Sequence, residues 1–206
     1  MTPSEFTALL VLATATSFTP GPNTTLSTAL AVNGGLRSAL RFVLAVPVGW
    51  ALLLLLSALG VGSLIQAWPL LRGAIVLAGV AYLLWLAWRL WRVREWANGP
   101  DAALEVGFFQ GVMWQFLNIK AWMLALSITA GWIAGQPDVA HRMTVVMPVM
   151  VFYAFASNFS YALIGALMRQ WLSHGRRLLV FNRFMATALV LTAAWMLRDA
   201  WRAMPE

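Results

Sequence analysis

Twenty-four consecutive residues, Phe42 to Ile65, carry no charged side chain. A helix of that length rises about 36 Å, enough to cross a hydrocarbon core of about 30 Å. Five further apolar runs share the chain with it: Phe6–Ala31, Leu70–Leu90, Val106–Ala134, Met143–Met168 and Leu178–Leu197. Of 206 residues, 61% are hydrophobic and 10% charged, against about 25% charged in a soluble domain. A soluble fold of this size cannot bury so much apolar surface, so lipid must solvate much of it. No run shows the period-two alternation of a membrane barrel. The expected fold is therefore an all-α integral membrane protein with about six transmembrane helices in a single domain, residues 1–206.

The net charge is +7, yet the basic residues lie in short clusters between apolar runs and form no continuous face for nucleic acid. Arg37, Arg41, Arg89, Arg92, Arg94, Arg169, Arg176, Arg177 and Arg183 follow the odd-numbered runs, nine in all, while Arg72, Arg142, Arg198 and Arg202 fall on the other side. The positive-inside rule then puts both termini outside the cell. Trp68, Trp96, Trp132, Trp171 and Trp201 lie near run ends, where an aromatic belt is expected. The sixth run is the weakest, with 14 residues between Arg183 and Arg198.

Two of the runs are interrupted. In the first, Thr19-Pro20-Gly21-Pro22-Asn23 must unwind, because each proline lacks a donor and disfavours helix in the residue before it. Gly21 adds conformational freedom. The half-helix restarting at Pro22 and Asn23 presents an N-terminal dipole suited to a carboxylate, with Thr24 and Thr25 beside it. In the fourth run Lys120 is the interruption. Asn23 lies 18 residues from Glu5 and 14 from Arg37, and Lys120 lies 15 from Glu105 and 17 from Pro137. Both therefore fall roughly 20–27 Å from either end, near the midplane. Two halves, about 1–98 and 104–206, each opening with a broken helix and holding three runs, imply inverted repeats and a transporter with alternating access.

The motif Thr19-Pro20-Gly21-Pro22-Asn23 resembles the signature of the lysine-exporter superfamily, the LysE/RhtB-type amino-acid exporters. Gly107-Phe108-Phe109-Gln110-Gly111, leading to Leu117-Asn118-Ile119-Lys120-Ala121-Trp122, resembles the family's second motif, and Phe181-Asn182-Arg183 its approach to the last span. Ile119 stands where the family usually has proline, which implies a softer break in the fourth run. The resemblance implies a multi-pass exporter of the bacterial inner membrane, driven by the proton gradient. Its substrate would be an amino acid or a similar small amphipathic solute.

Candidate substrate-binding residues are Asn23, Thr24, Asn118, Lys120, Asn158 and Tyr153, with Thr19, Pro20, Gly21 and Pro22 as the helix break. An ammonium at the bilayer centre costs about 2.5–3.5 kcal/mol on insertion scales, so Lys120 should face the bundle interior. There it would attract a substrate carboxylate or exchange a proton, unless it is a clamp on the broken backbone. Asn158, Tyr153 and Tyr161 on the fifth run could equally bridge helices. Gly107-x-x-x-Gly111 reads as close packing inside the bundle. Partners are a small-molecule substrate and the lipid bilayer; a homo-oligomer is compatible with the sequence. His141 and His174 are read as loop residues, no run contains Asp or Glu, and there is no cysteine. Nothing here calls for a cofactor or metal, or for an enzyme. A non-transporting assembly or signalling subunit and a metal-ion exporter are the alternatives. The missing acids favour neutral amino acids over lysine and arginine.

Overall fold

A computed structural model describes residues 1–93, 105–174 and 176–202. Arg94, Trp96 and the boundary between the expected halves lie outside the described residues, as does the side chain of Trp201. The described elements are all helical: α1 (Pro3–Phe18), α2 (Pro22–Gly34), α3 (Leu36–Ala58), α4 (Val61–Ala67), α5 (Pro69–Arg92), α6 (Phe108–Leu117), α7 (Ile119–Ile128), α8 (Val139–Leu172) and α9 (Arg177–Arg202). A π-turn, Thr129–Ile133, extends α7.

By length and composition α3, α5, α8 and α9 can each cross a membrane, and α6 with α7 makes a fifth candidate bent by 71°. The first expected span is divided between α1 and α2, of 16 and 13 residues, neither long enough alone. The last run is stronger than its sequence implied: α9 offers an apolar stretch from Arg177 to Ala200, because Arg183 and Arg198 sit near its two ends. The second run is displaced. Its helix starts at Leu36, taking Arg37 and Arg41 into its first turns. It stops at Ala58, where Gly60 turns the chain at φ 89° into the short α4. His141 also belongs to a helix, the first turn of α8, whereas His174 is in the turn after it.

The centre of the bundle is α2, which is buried at nearly every position from Thr24 to Asn33. It lies between α3 and α8, and Gly165 of α8 allows the approach: a Cβ there would stand 2.6 Å from the Thr28 carbonyl oxygen. Gly111 plays the same part for α6, where a Cβ would stand 2.7 Å from that of Ala45. Gly107 only caps α6, so the packing role belongs to Gly111 alone.

Each end of the bundle is tied by polar contacts. At one, Arg142 is buried on α8 and bonds Asp138 at 2.8 Å, Glu5 of α1 at 3.3 Å and the Trp132 carbonyl at 3.3 Å. Its hydrogen bond and charge hold the Asp138 carboxyl below the ordinary range. Arg72 meets Asp199 at the same end. At the other, Asn33 and Asn182 exchange amide hydrogen bonds of 2.9 and 3.0 Å, joining α2 to α9.

Candidate functional site

The first break is held open by specific hydrogen bonds. α1 stops at Phe18, and the Tyr161 hydroxyl of α8 donates to its carbonyl at 3.0 Å. The Thr19 hydroxyl turns back onto the Ala15 carbonyl. The Thr24 hydroxyl accepts from the Gly21 amide at 2.9 Å and donates to the Gly21 carbonyl at 3.0 Å. Thr24 thus caps α2, so its hydroxyl is occupied within the break. Gly21 has an extended backbone, φ −166°, that any residue adopts. A Cβ there would stand in ordinary contact, 3.5 Å from the Lys120 ammonium nitrogen, so Gly21 marks where the first break meets Lys120.

The second break is sharp despite Ile119. Asn118 joins α6 to α7 at φ −89°, ψ 93°, and the axes diverge by 71°. Side chains replace the missing proline. The Trp122 indole donates to the freed Phe116 carbonyl at 3.0 Å. The Leu117 carbonyl presses on Gly79 of α5, only 2.2 Å from where a Cβ would stand. The Asn118 carbonyl accepts the amides of Ala121 and Trp122 and so starts the next helix.

The two breaks are locked together. Asn23 donates to the Gln115 side chain at 2.9 Å, and its own oxygen accepts the Trp114 indole at 2.7 Å. Asn23 is therefore a clamp between α2 and α6, its amide engaged on both sides. Sequence reading missed Gln115 and Trp114. Gln115 had a signal, as an amide inside an apolar run, and the structure buries it fully; Trp114 had none that distinguished it from its neighbours.

Between these breaks lies a cavity lined by Gly21, Pro22, Asn23, Thr24, Asn118 and Lys120, and closed by Trp50 of α3 and by Met150, Ser157 and Asn158 of α8. A second cavity opens towards Trp195 and Met196 of α9, and Gly21, Pro22, Asn118 and Lys120 line both. Asn158 borders the first cavity, but its oxygen accepts from Ser27 at 2.8 Å and its nitrogen donates to the Ala154 carbonyl at 2.8 Å. It holds α8 to α2. The structure does not bring Tyr153 to either cavity: its hydroxyl accepts from Thr14 of α1 at 3.0 Å.

Two polar groups in the cavity walls have no protein partner among the described residues. Lys120 makes neither a hydrogen bond nor an ion pair, and the buried Asn118 side-chain oxygen accepts nothing. The amides of Asn23 and Thr24, in the first turn of α2, add a positive dipole end. No acidic residue lines either cavity. Chemically this is a site for an anionic group beside the ammonium and one hydrogen-bond donor facing Asn118. Among the described residues no three His, Asp or Glu are grouped to hold a metal.

Comparison with known proteins agrees in extent with the whole bundle. The family model described as LysE type translocator matches residues 14–200. The chain is similar to the cysteine/O-acetylserine efflux protein of Klebsiella pneumoniae, 29% identical with 94% of this chain and 97% of that protein covered. The proteins of the same description from Salmonella typhimurium and Escherichia coli K12 are 28% and 27% identical, with the same coverage. No solved structure matches.

Proposed function

The chain belongs to the LysE type translocator family, is a multi-pass membrane translocator and not an enzyme, and on that premise we propose that it exports neutral amino acids or their derivatives. The relatives' names, cysteine/O-acetylserine efflux protein, support an amino-acid substrate of this class. The observation that carries the reading is the pair of unpartnered groups between the breaks, the Lys120 ammonium and the Asn118 oxygen. In this reading the substrate carboxylate pairs with Lys120 and the amide end of α2, while its ammonium donates to Asn118. A neutral side chain fits, because no carboxylate stands in the cavity walls to compensate a second cation.

The two breaks would then be the counterparts of one another in inverted halves. The cavities on the two sides of Lys120 are compatible with access from alternate sides. Coupling to the proton gradient and an inner-membrane location with both termini outside complete the proposal. A metal-ion exporter and an assembly subunit gain no observation of this kind.

The test is competition in proteoliposomes under an imposed pH gradient. O-acetylserine, cysteine and other neutral amino acids should displace a transported neutral substrate better than lysine or arginine. Stronger displacement by lysine would defeat the assignment of substrate class. Absence of flux for every amino acid would defeat the exporter reading itself.

A further inference from the structure

Helices α5 and α9 pack along one another, and a groove between them shares no lining residue with the substrate cavities. Leu84, Trp88 and Trp91 wall one side, and Ala186, Thr187 and Val190 the other. Trp88 is 52% exposed and Trp91 48%, so lipid is their solvent. One end of this groove is basic. The Arg92 guanidinium lies over the Trp88 ring at 4.2 Å, and that of Arg183 over the Trp91 ring at 5.1 Å. Neither has a carboxylate within 4 Å among the described residues, and both side chains are exposed.

Snorkelling of arginine to the interface explains a position but not this pairing. A guanidinium stacked on an aromatic face keeps its N–H edge available, and that planar fork matches a phosphate. Two such forks stand at the mouth of one apolar groove: Arg92 lies in the last turn of α5 and Arg183 in the second turn of α9, while Leu84 is about two turns deeper. We propose that the α5–α9 groove binds one anionic phospholipid, its phosphate between Arg92 and Arg183 and an acyl chain along Trp88, Leu84 and Val190. Charge complementarity selects an anionic headgroup, since a zwitterionic lipid carries its own cation to these arginines. The site uses none of the residues that line the substrate cavities.

The experiment is native mass spectrometry of the full chain, given phosphatidylglycerol and phosphatidylcholine with identical acyl chains in equal amounts. One phosphatidylglycerol should be retained in preference to phosphatidylcholine. Arg92→Gln with Arg183→Gln should lower that retention about twenty-fivefold, about fivefold for each arginine. Thr187→Trp fills the groove, leaves both arginines in place, and should also lower retention. Arg177→Gln should not, because that guanidinium stacks on Trp171, outside the groove. Equal retention of phosphatidylcholine, or full retention by the double variant or by Thr187→Trp, would overturn the proposal. So would a dimer that Thr187→Trp dissociates, since a second copy would then fill the groove.

Discussion

An ammonium without an acid partner is tolerated in a helix bundle only if something else compensates it. Lys120 has no such partner among the described residues, and it lines both cavities. The energetic strain and the proposed role are therefore the same fact. Lys120→Met should fold and unfold at a higher temperature in detergent, because a desolvation cost of up to about 2.5–3.5 kcal/mol disappears. Flux in proteoliposomes should fall by about tenfold or more, the loss of one charge-assisted contact. A variant that is stabilised yet transports at the parental rate would reduce Lys120 to a structural clamp. The types of residue at this site were legible in the sequence, since polar groups in apolar runs are costly and conspicuous. Their partners were not. Asn23, Thr24 and Asn158 look alike in sequence to Asn118, yet the first three are engaged by Gln115, Gly21 and Ser27 while the Asn118 oxygen is unpaired. Tyr153 misled for a related reason. It stands three residues from Met150, rotated off the face carrying Ala154 and Ser157, and its hydroxyl reaches α1 instead.

At the scale of elements, the two breaks reach one result by different chemistry. Pro20 and Pro22 forbid a helix that continues through them, and that was readable from the residue types. The break at Asn118 needs no proline, because Trp122 takes up the Phe116 carbonyl and Gly79 admits that of Leu117. The Gly79 contact joins residues far apart in sequence, and the Trp122 bond reaches back across the break, so no helical or strand period announces either. Trp122→Phe should leave that carbonyl unsatisfied and cost about 1–3 kcal/mol in stability. Ile119 occupies the first position of α7, where proline loses no helical hydrogen bond, and Asn118 before it is already extended. Ile119→Pro should therefore restore much of the stability that Trp122→Phe removes, as measured by thermal unfolding in detergent. Additive destabilisation by the two substitutions would mean that the break is held elsewhere. Helix ends were less legible than helix existence. The uncharged run Phe42–Ile65 continues through the turn at Gly60, since apolar residues in lipid do not mark where a helix stops.

For the whole molecule, the proposed orientation rests on which groups share an end. Met1, Glu5, Asp138 and Arg142 meet at one end, joined there by Arg72 with Asp199. Three of the residues at that end are acids, paired with Arg72 and Arg142, and Arg198 and Arg202 of α9 belong to the same end. At the opposite end Arg37 and Arg41 begin α3, Arg89 and Arg92 close α5, Arg169 closes α8, and Arg177 and Arg183 begin α9. Glu105, paired with Arg41, is the acid that meets them among the described residues. The arginines at this second end outnumber the four of the first, and in the proposed orientation the positive-inside rule, which counts basic residues, turns it to the cytoplasm. The chain has no cysteine of its own, so a single introduced thiol reports its position without background. In intact cells an impermeant thiol reagent should label Ala140→Cys, on the exposed first turn of α8 beside Arg142, and should leave Ser173→Cys unlabelled until the membrane is permeabilised. Labelling of Ser173→Cys in intact cells would reverse the orientation, and with it the side from which the proposed substrate would reach Lys120.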